Sequence, residues 1–262
     1  MPVTETAVIS NLREAFITFN GLCGGRAESF PGVTCVLHPS RLTGFNMAFL
    51  HGAEGTEGRA LRRVQGFFRE INTDWCLVVP PRLTGLFDAV TKRVRISERR
   101  AVPQMVLDPR GVSVPGPPAT LEVRPVKTVA DLRTWSRTST RGFGSGRRNP
   151  LRTLAHKASL EAEDFAFNLG LASGKPVTTS ASFVSKGIDG IFAVSTLPKA
   201  RGHGYGEAMT WAAVRDGVSK GCGTISLQAS PMGFPIYHRM GFRQIFDLEE
   251  WVVPRDAPDA RD

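Results

Sequence analysis

The chain alternates between stretches whose apolar residues recur at helical spacing and short runs dense in branched and aromatic side chains. Residues 11–19 read as a helix, and residues 58–70 carry Leu61, Val64, Phe67 and Phe68 three or four apart, which predicts an amphipathic helix with one buried face. Residues 33–37, 46–50 and 75–79 read as buried strands. Further on, 121–126 predicts a strand, 129–137 a helix and 150–160 a second helix. Residues 164–172 and 177–184 predict two strands joined by Ser173-Gly174-Lys175-Pro176, a hairpin signal. A strand at 191–197 stops at Pro198, and 207–220 reads as a helix with Ala208, Met209, Ala212, Ala213 and Val218 on its packed side and Gly221 as its stop. Residues 224–229 predict a strand, 235–241 a short helix, and Ile245, Phe246, Leu248, Trp251 and Val252 the closing strands. The fold class implied is α/β (α+β).

Composition divides the chain. The run from Pro109 to Ala119 holds four prolines and two glycines and reads as a linker. It separates a smaller α/β domain at 1–108 from a second domain at 120–262. No run of apolar residues is long enough to cross a bilayer, and residues 1–10 lack the basic and apolar regions of a signal peptide, so a cytoplasmic protein is expected. Cys23, Cys35, Cys76 and Cys222 are too scattered for a metal site, and the five histidines form no ligand pair. No metal is expected. The net charge of +9 and the basic run at 92–100 raise the question of nucleic acid. Alternate apolar residues Val94 and Ile96 and the lack of interleaved aromatics favour a solvated strand face instead.

The chemistry is written at Arg201-Gly202-His203-Gly204-Tyr205-Gly206, between a predicted strand and a predicted helix. A helix start leaves its first NH groups unpaired and carries partial positive charge, and glycines let an anion approach them. A P-loop would need Lys followed by Ser or Thr where Glu207 stands, and a dinucleotide fold would place its glycines after the first strand. The segment instead resembles the acyl-CoA signature of the GNAT superfamily of N-acetyltransferases, R/Q-x-x-G-x-G/A, met here by Arg201, Gly204 and Gly206. The likeness continues. Residues 233–242, G-F-P-I-Y-H-R-M-G-F, are similar to the superfamily's A-x-x-x-Y-x-x-x-G-F, with Tyr237 on its tyrosine and Gly233 in place of its alanine.

That resemblance covers about half the chain, 120–254, and implies a mixed, largely antiparallel sheet flanked by helices. The first 108 residues are similar to the degenerate halves of tandem members but carry no signature. The resemblance implies an acetyl-CoA-dependent N-acetyltransferase acting on a primary amine. Backbone groups of Val194, Ser195 and Thr196 would meet the pantetheine arm and the oxyanion, and Arg201, Gly202, His203, Gly204, Tyr205 and Gly206 the pyrophosphate. Tyr237 would be the general acid. Glu161, Glu163, Asp164 and Asp189 are candidate bases, alongside a water chain or a neutral amine. An acyl-CoA-binding sensor without turnover is the alternative. The acceptor, the acyl-chain preference and the choice between monomer and homodimer are not written in the sequence.

Overall fold

A computed structural model describes residues 3–144 and 150–261. The elements run α1 (Glu5–Leu22), β1 (Arg26–Phe30), β2 (Val33–Leu37), β3 (Met47–Leu50), α2 (Gly58–Arg69), β4 (Trp75–Val79), α3 (Phe87–Thr91) and β5 (Glu98–Leu107). They continue with β6 (Glu122–Pro125), α4 (Val129–Gly142), α5 (Lys157–Glu161), β7 (Phe165–Ala172), β8 (Lys175–Ser185) and β9 (Ile188–Thr196). The last are α6 (Tyr205–Ser219), β10 (Thr224–Gln228), α7 (Phe234–Arg239) and β11 (Arg243–Val253).

Two compact units result, and neither is a continuous stretch of chain: 1–15 with 104–245, and 16–103 with 246–262. These units differ from the cut at 108 and 120 expected from composition. The first half of α1 belongs with the later strands because Asn11 Nδ2 donates to Phe183 O, Ser185 Oγ and Ile188 O. Glycine is required at position 190, since a Cβ there would lie 2.4 Å from Asn11 Oδ1. The end of β11 belongs with the earlier strands, pairing antiparallel with β4 from Glu249↔Val79 to Val253↔Trp75.

In the unit of 16–103 and 246–262, neighbouring strands run β1, β2, β3, β4, β11, with β3 and β4 parallel. The apolar face of α2, Leu61, Val64, Phe67 and Phe68, packs on Val33, Cys35, Leu77 and Val79. Gln65 holds the chain end through Pro258 O and Ala260 N. The basic run at 92–100 becomes strand only from Glu98, and Arg95, Arg99 and Arg100 are paired with Asp256, Glu249 and Glu98.

In the other unit the order is β5, β10, β9, β8, β7, β6, antiparallel except for β9 beside β10. The fold class is mixed α/β with a largely antiparallel sheet, as the sequence implies. Side chains alternate across a strand. Ile191, Ile225 and Leu227 therefore share one core with Trp211 and Val214 of α6 and with Met105 and Leu107 of β5. On α4, Trp135 stands edge-on to Phe167 at 5.0 Å and donates from Nε1 to Ser180 O. The proline run after β5 lies against this unit: Val112 and Val114 pack on the α6 core and Pro115 O accepts from Arg215. The helix expected at 150–160 is a short 3-10 turn, Pro150–Leu154, followed by α5.

Candidate active site

The site begins with a fault in β9. Its register with β8 runs from Ser185↔Ile188 to Ala181↔Phe192, then resumes at Thr179↔Ser195, so two residues of β9 face Ser180 alone. Ala193 takes φ 51° at this bulge, a left-handed conformation uncommon for alanine. Pairing with β10 ends at Leu227↔Ile191. Beyond Ile191, β9 has a ladder on its β8 edge only.

A run of small hydroxyl residues in β8 holds the bulged end in place. Thr179 Oγ1 donates to Ala193 O at 3.0 Å and meets Ser195 Oγ at 2.9 Å, while Thr178 Oγ1 donates to Ser195 O at 2.8 Å. Ser195 Oγ also donates to Ser139 O on α4. The packing there leaves no room for a Cβ on Gly142, which would stand 2.6 Å from Ser195 Oγ. The side chain of Ser195 is thus structural, and what Val194, Ser195 and Thr196 can offer a ligand is main chain. Thr178, Thr179, Ser139 and Gly142 were absent from the sequence-based site; the T-T-S-A-S run at 178–182 inside a buried strand was the available signal.

After β9, Pro198–Ala200 forms a single 3-10 turn and the chain reaches α6 through Gly202 at φ 82° and Gly204 at φ 73°. Both values lie where L-residues are strained, so glycine is needed at each. Gly204 is the N-cap of α6 and supplies no side-chain cap. The first amides of α6 are left for an external acceptor, and the helix dipole favours an anion there.

The side chains of this turn serve the turn itself. Arg201 folds back, donating from Nε to Thr196 O at 3.2 Å and from Nη2 to Gly142 O at 3.0 Å, which ties the end of β9 to the end of α4. The resemblance sets Arg201 against the pyrophosphate; here its guanidinium is held by two backbone carbonyls. His203 is anchored by Nδ1 to Arg201 O and stacks on Tyr205 at 5.4 Å. Tyr205 is buried against Leu121, Ala208 and Met209, with its hydroxyl on Thr120. Gly206 is in ordinary contact with Thr196 Oγ1, 3.6 Å from where its Cβ would be.

Tyr237 projects from α7, whose first turn carries Pro235 where the helix has no use for an NH. Its ring packs on the core beneath α6 and lies 6.0 Å from Phe242. Burial pushes its phenol above the usual value, partly offset by the nearby Thr210 hydroxyl. The phenol therefore stays protonated at neutral pH.

Three of the four carboxylates considered as bases lie at the far end of β9 from the bulge. Asp189 opposes Val184 near the start of β9, and its carboxylate contacts Gly217, seven residues past Thr210 and so about 10 Å along α6. Phe165, next to Asp164, pairs with Phe183 at that same end, where Glu163 O accepts from Lys220. Glu161 pairs with Lys157 on α5. Sequence position gave these residues proximity to β9 but not the end of it. Among the described residues no group of three or more His, Cys, Asp or Glu is placed to hold a metal ion.

Solved structures share this fold over most of the chain. A GCN5-related N-acetyltransferase from Kribbella flavida superposes with TM-score 0.63 at 18% identity, covering 93% of this chain and 95% of that one. The fold is that of the GCN5-related N-acetyltransferases. A second such acetyltransferase, from Sphaerobacter thermophilus, gives TM-score 0.63 at 14% identity over 86% of this chain and 77% of that one. A tandem GNAT protein from the clavulanic acid biosynthesis pathway gives 0.59 at 11% identity, covering 85% and 78%. No family model matches the sequence, and no curated protein matches it. Within the GCN5-related fold, Tyr237 and the Gly204 end of α6 occupy one unit, 104–245.

Proposed function

We propose that the protein is an acyl-CoA-dependent N-acetyltransferase that moves the acetyl group of acetyl-CoA to a primary amine by direct attack on the thioester. The observation that carries this reading is the uncapped α6 start at Gly204, entered through two left-handed glycines from a strand that has just left its partner. Amides of Gly202 to Gly206 would hold the diphosphate, and Arg201 would brace that cradle by its bonds to Thr196 O and Gly142 O. The main chain of Val194 to Thr196 would run along the pantetheine arm, and an NH there would meet the charge that builds on the carbonyl oxygen. Tyr237, held protonated by burial, would give its proton to the departing thiolate. No carboxylate base is assigned; an amine arriving neutral, or water, would carry off the nitrogen's proton.

The four cysteines are buried and none forms a disulfide, and burial raises the Cys76 thiol to about 12 and the Cys222 thiol to about 11. Buried thiols outside any disulfide suit a reducing compartment, which supports a cytoplasmic setting. No described helix is long and apolar enough to cross a membrane. The test is release of free thiol from acetyl-CoA against a panel of primary amines. Amine-dependent release supports transfer; tight acetyl-CoA binding without release by any amine would make the protein a sensor instead.

A further inference from the structure

We propose that the first half of α1 sets the length of the acyl chain: Val8 and Leu12 roof the fork where β9 leaves β10, and beneath them is a seat for one uncharged methyl group. The inference rests on the transfer reading for its ligand, but it is read from binding and needs no turnover.

Val8, Asn11 and Leu12 lie three and four residues apart and so share one face of α1, and all three are buried. That face is fastened to the sheet. Asn11 Nδ2 donates to Phe183 O at 3.3 Å and to Ile188 O at 3.1 Å, and Lys186, between β8 and β9, pairs with Glu14 about one turn further along α1. Gly190 lies so close to Asn11 that no side chain would fit between them.

Below the helix, strand alternation turns Gly190 and Phe192 of β9, Ser226 and Gln228 of β10 and Gln104 of β5 to one side, towards α1. The last rung between β9 and β10 is Leu227↔Ile191, so Phe192 and Gln228 are the first residues past the fork. The cavity there, closed from above by Val8 and Leu12, gives the centre of a water-sized group about 10 Å³ to occupy, about the least that holds one water. A methyl group is of that size, and two further methylenes have no place in it. Among the described residues, none that lines the cavity is charged.

The direction of the acyl group follows from the proposed grip on the rest of the ligand. With the diphosphate at Gly202 to Gly206, the pantetheine arm runs back along β9 from Thr196 to Val194, and what lies beyond the sulfur points at Phe192 and the fork. The methyl of an acetyl group is then the atom that goes deepest. A butyryl chain would have to lift a helix held by Asn11 and Glu14, and a succinyl carboxylate would be buried with no cation to meet it.

The experiment titrates the full chain by calorimetry with acetyl-CoA, butyryl-CoA and succinyl-CoA, for the wild type, Leu12→Ala and Val8→Ala. The wild type should bind acetyl-CoA at least about tenfold more tightly than either longer thioester, the scale on which closed pockets discriminate by a methylene or two. Leu12→Ala should narrow the gap between acetyl-CoA and butyryl-CoA by about tenfold, Val8→Ala should narrow it by less, and succinyl-CoA should stay weak in both. Each gap is a ratio of affinities within one variant, so a loss of folded protein cancels from it. A second measurement uses the wild type alone: exchanging CoA for acetyl-CoA should shift the ¹³C-methyl NMR signals of Val8 and Leu12, assigned with the two variants. Butyryl-CoA bound by the wild type as tightly as acetyl-CoA, or Val8 and Leu12 signals that are the same with CoA and acetyl-CoA, overturns the proposal. If all three thioesters bind alike, the acyl-CoA reading stands and this inference alone falls; if none binds, both fall.

Discussion

Gly233 is where it is because of Tyr237: a Cβ on Gly233 would stand 2.7 Å from Cε2 and 3.2 Å from Cζ of that ring. The motif this segment resembles has alanine at that position; here the tyrosine ring comes close to the start of its own helix. Its backbone, φ -80°, would accept any residue. Gly233→Ala should therefore fold normally but push the Tyr237 ring out of its place. A fall in kcat of about tenfold or more with unchanged acetyl-CoA affinity is expected from steady-state kinetics beside calorimetry; equal kcat would show that the ring position does not matter.

Tyr237→Phe keeps the ring packing on Phe242 and removes only the proton donor. General acids contribute about 10²–10⁴-fold, so kcat should drop within that range while acetyl-CoA affinity holds. Because burial raises the phenol, the wild-type rate should stay level through neutral pH and fall only on the alkaline side. Loss of acetyl-CoA binding in this variant would mean that Tyr237 holds the cofactor rather than protonating sulfur.

Gly204→Ala places a methyl group at φ 73°, where nothing but Pro118 Cγ at 4.0 Å is near. The cost is conformational, about 1–2 kcal/mol, rather than steric. Either the turn flattens, and acetyl-CoA affinity falls about tenfold, or the strain is retained and the melting temperature drops. Calorimetry and thermal unfolding read the two together; no change in either would show that the left-handed turn is dispensable.

Asp189 supplies the pH prediction. It is fully buried, Ser182 lies alongside without hydrogen-bonding geometry, and neither carboxyl oxygen has a partner. Burial first, and then the nearby Asp216, push its carboxyl up to about 8. The folded protein thus keeps a proton that the unfolded chain releases near pH 4, so stability falls as pH rises from about 4 to about 8 and levels off above. Asp189→Asn removes that fall. Its unfolding free energy should exceed the wild-type value by more at pH 8 than at pH 5, by at most about 1.4 kcal/mol per pH unit in that window. A constant difference across pH, measured by urea unfolding, would show that Asp189 titrates alike in both states.

Much of this was legible in the sequence because it is local. Ser173 and Gly174 turn the β7–β8 hairpin at φ 48° and 71°, with glycine at the second of the two left-handed positions. Gly202 and Gly204 mark the turn before α6, and Tyr237 is fixed by its distance from Gly241. What was hidden depends on register. The periodicity of 243–253 says strand but not that its second half pairs with β4, so the two units do not follow the cut at 108 and 120. The base candidates failed for a like reason, since nearness in sequence to β9 does not say which end of it a carboxylate faces. Arg201 fits its motif position, yet two backbone carbonyls at the end of β9 and α4 claim its guanidinium.

The most direct test of the diphosphate grip is a calorimetric titration of the full chain with acetyl-CoA and, separately, with S-acetylpantetheine, which has the thioester arm and no diphosphate. The account predicts saturable binding of acetyl-CoA and at least about tenfold weaker binding of the truncated thioester. Equal affinity for the two, or no heat from acetyl-CoA at millimolar concentration, would contradict it.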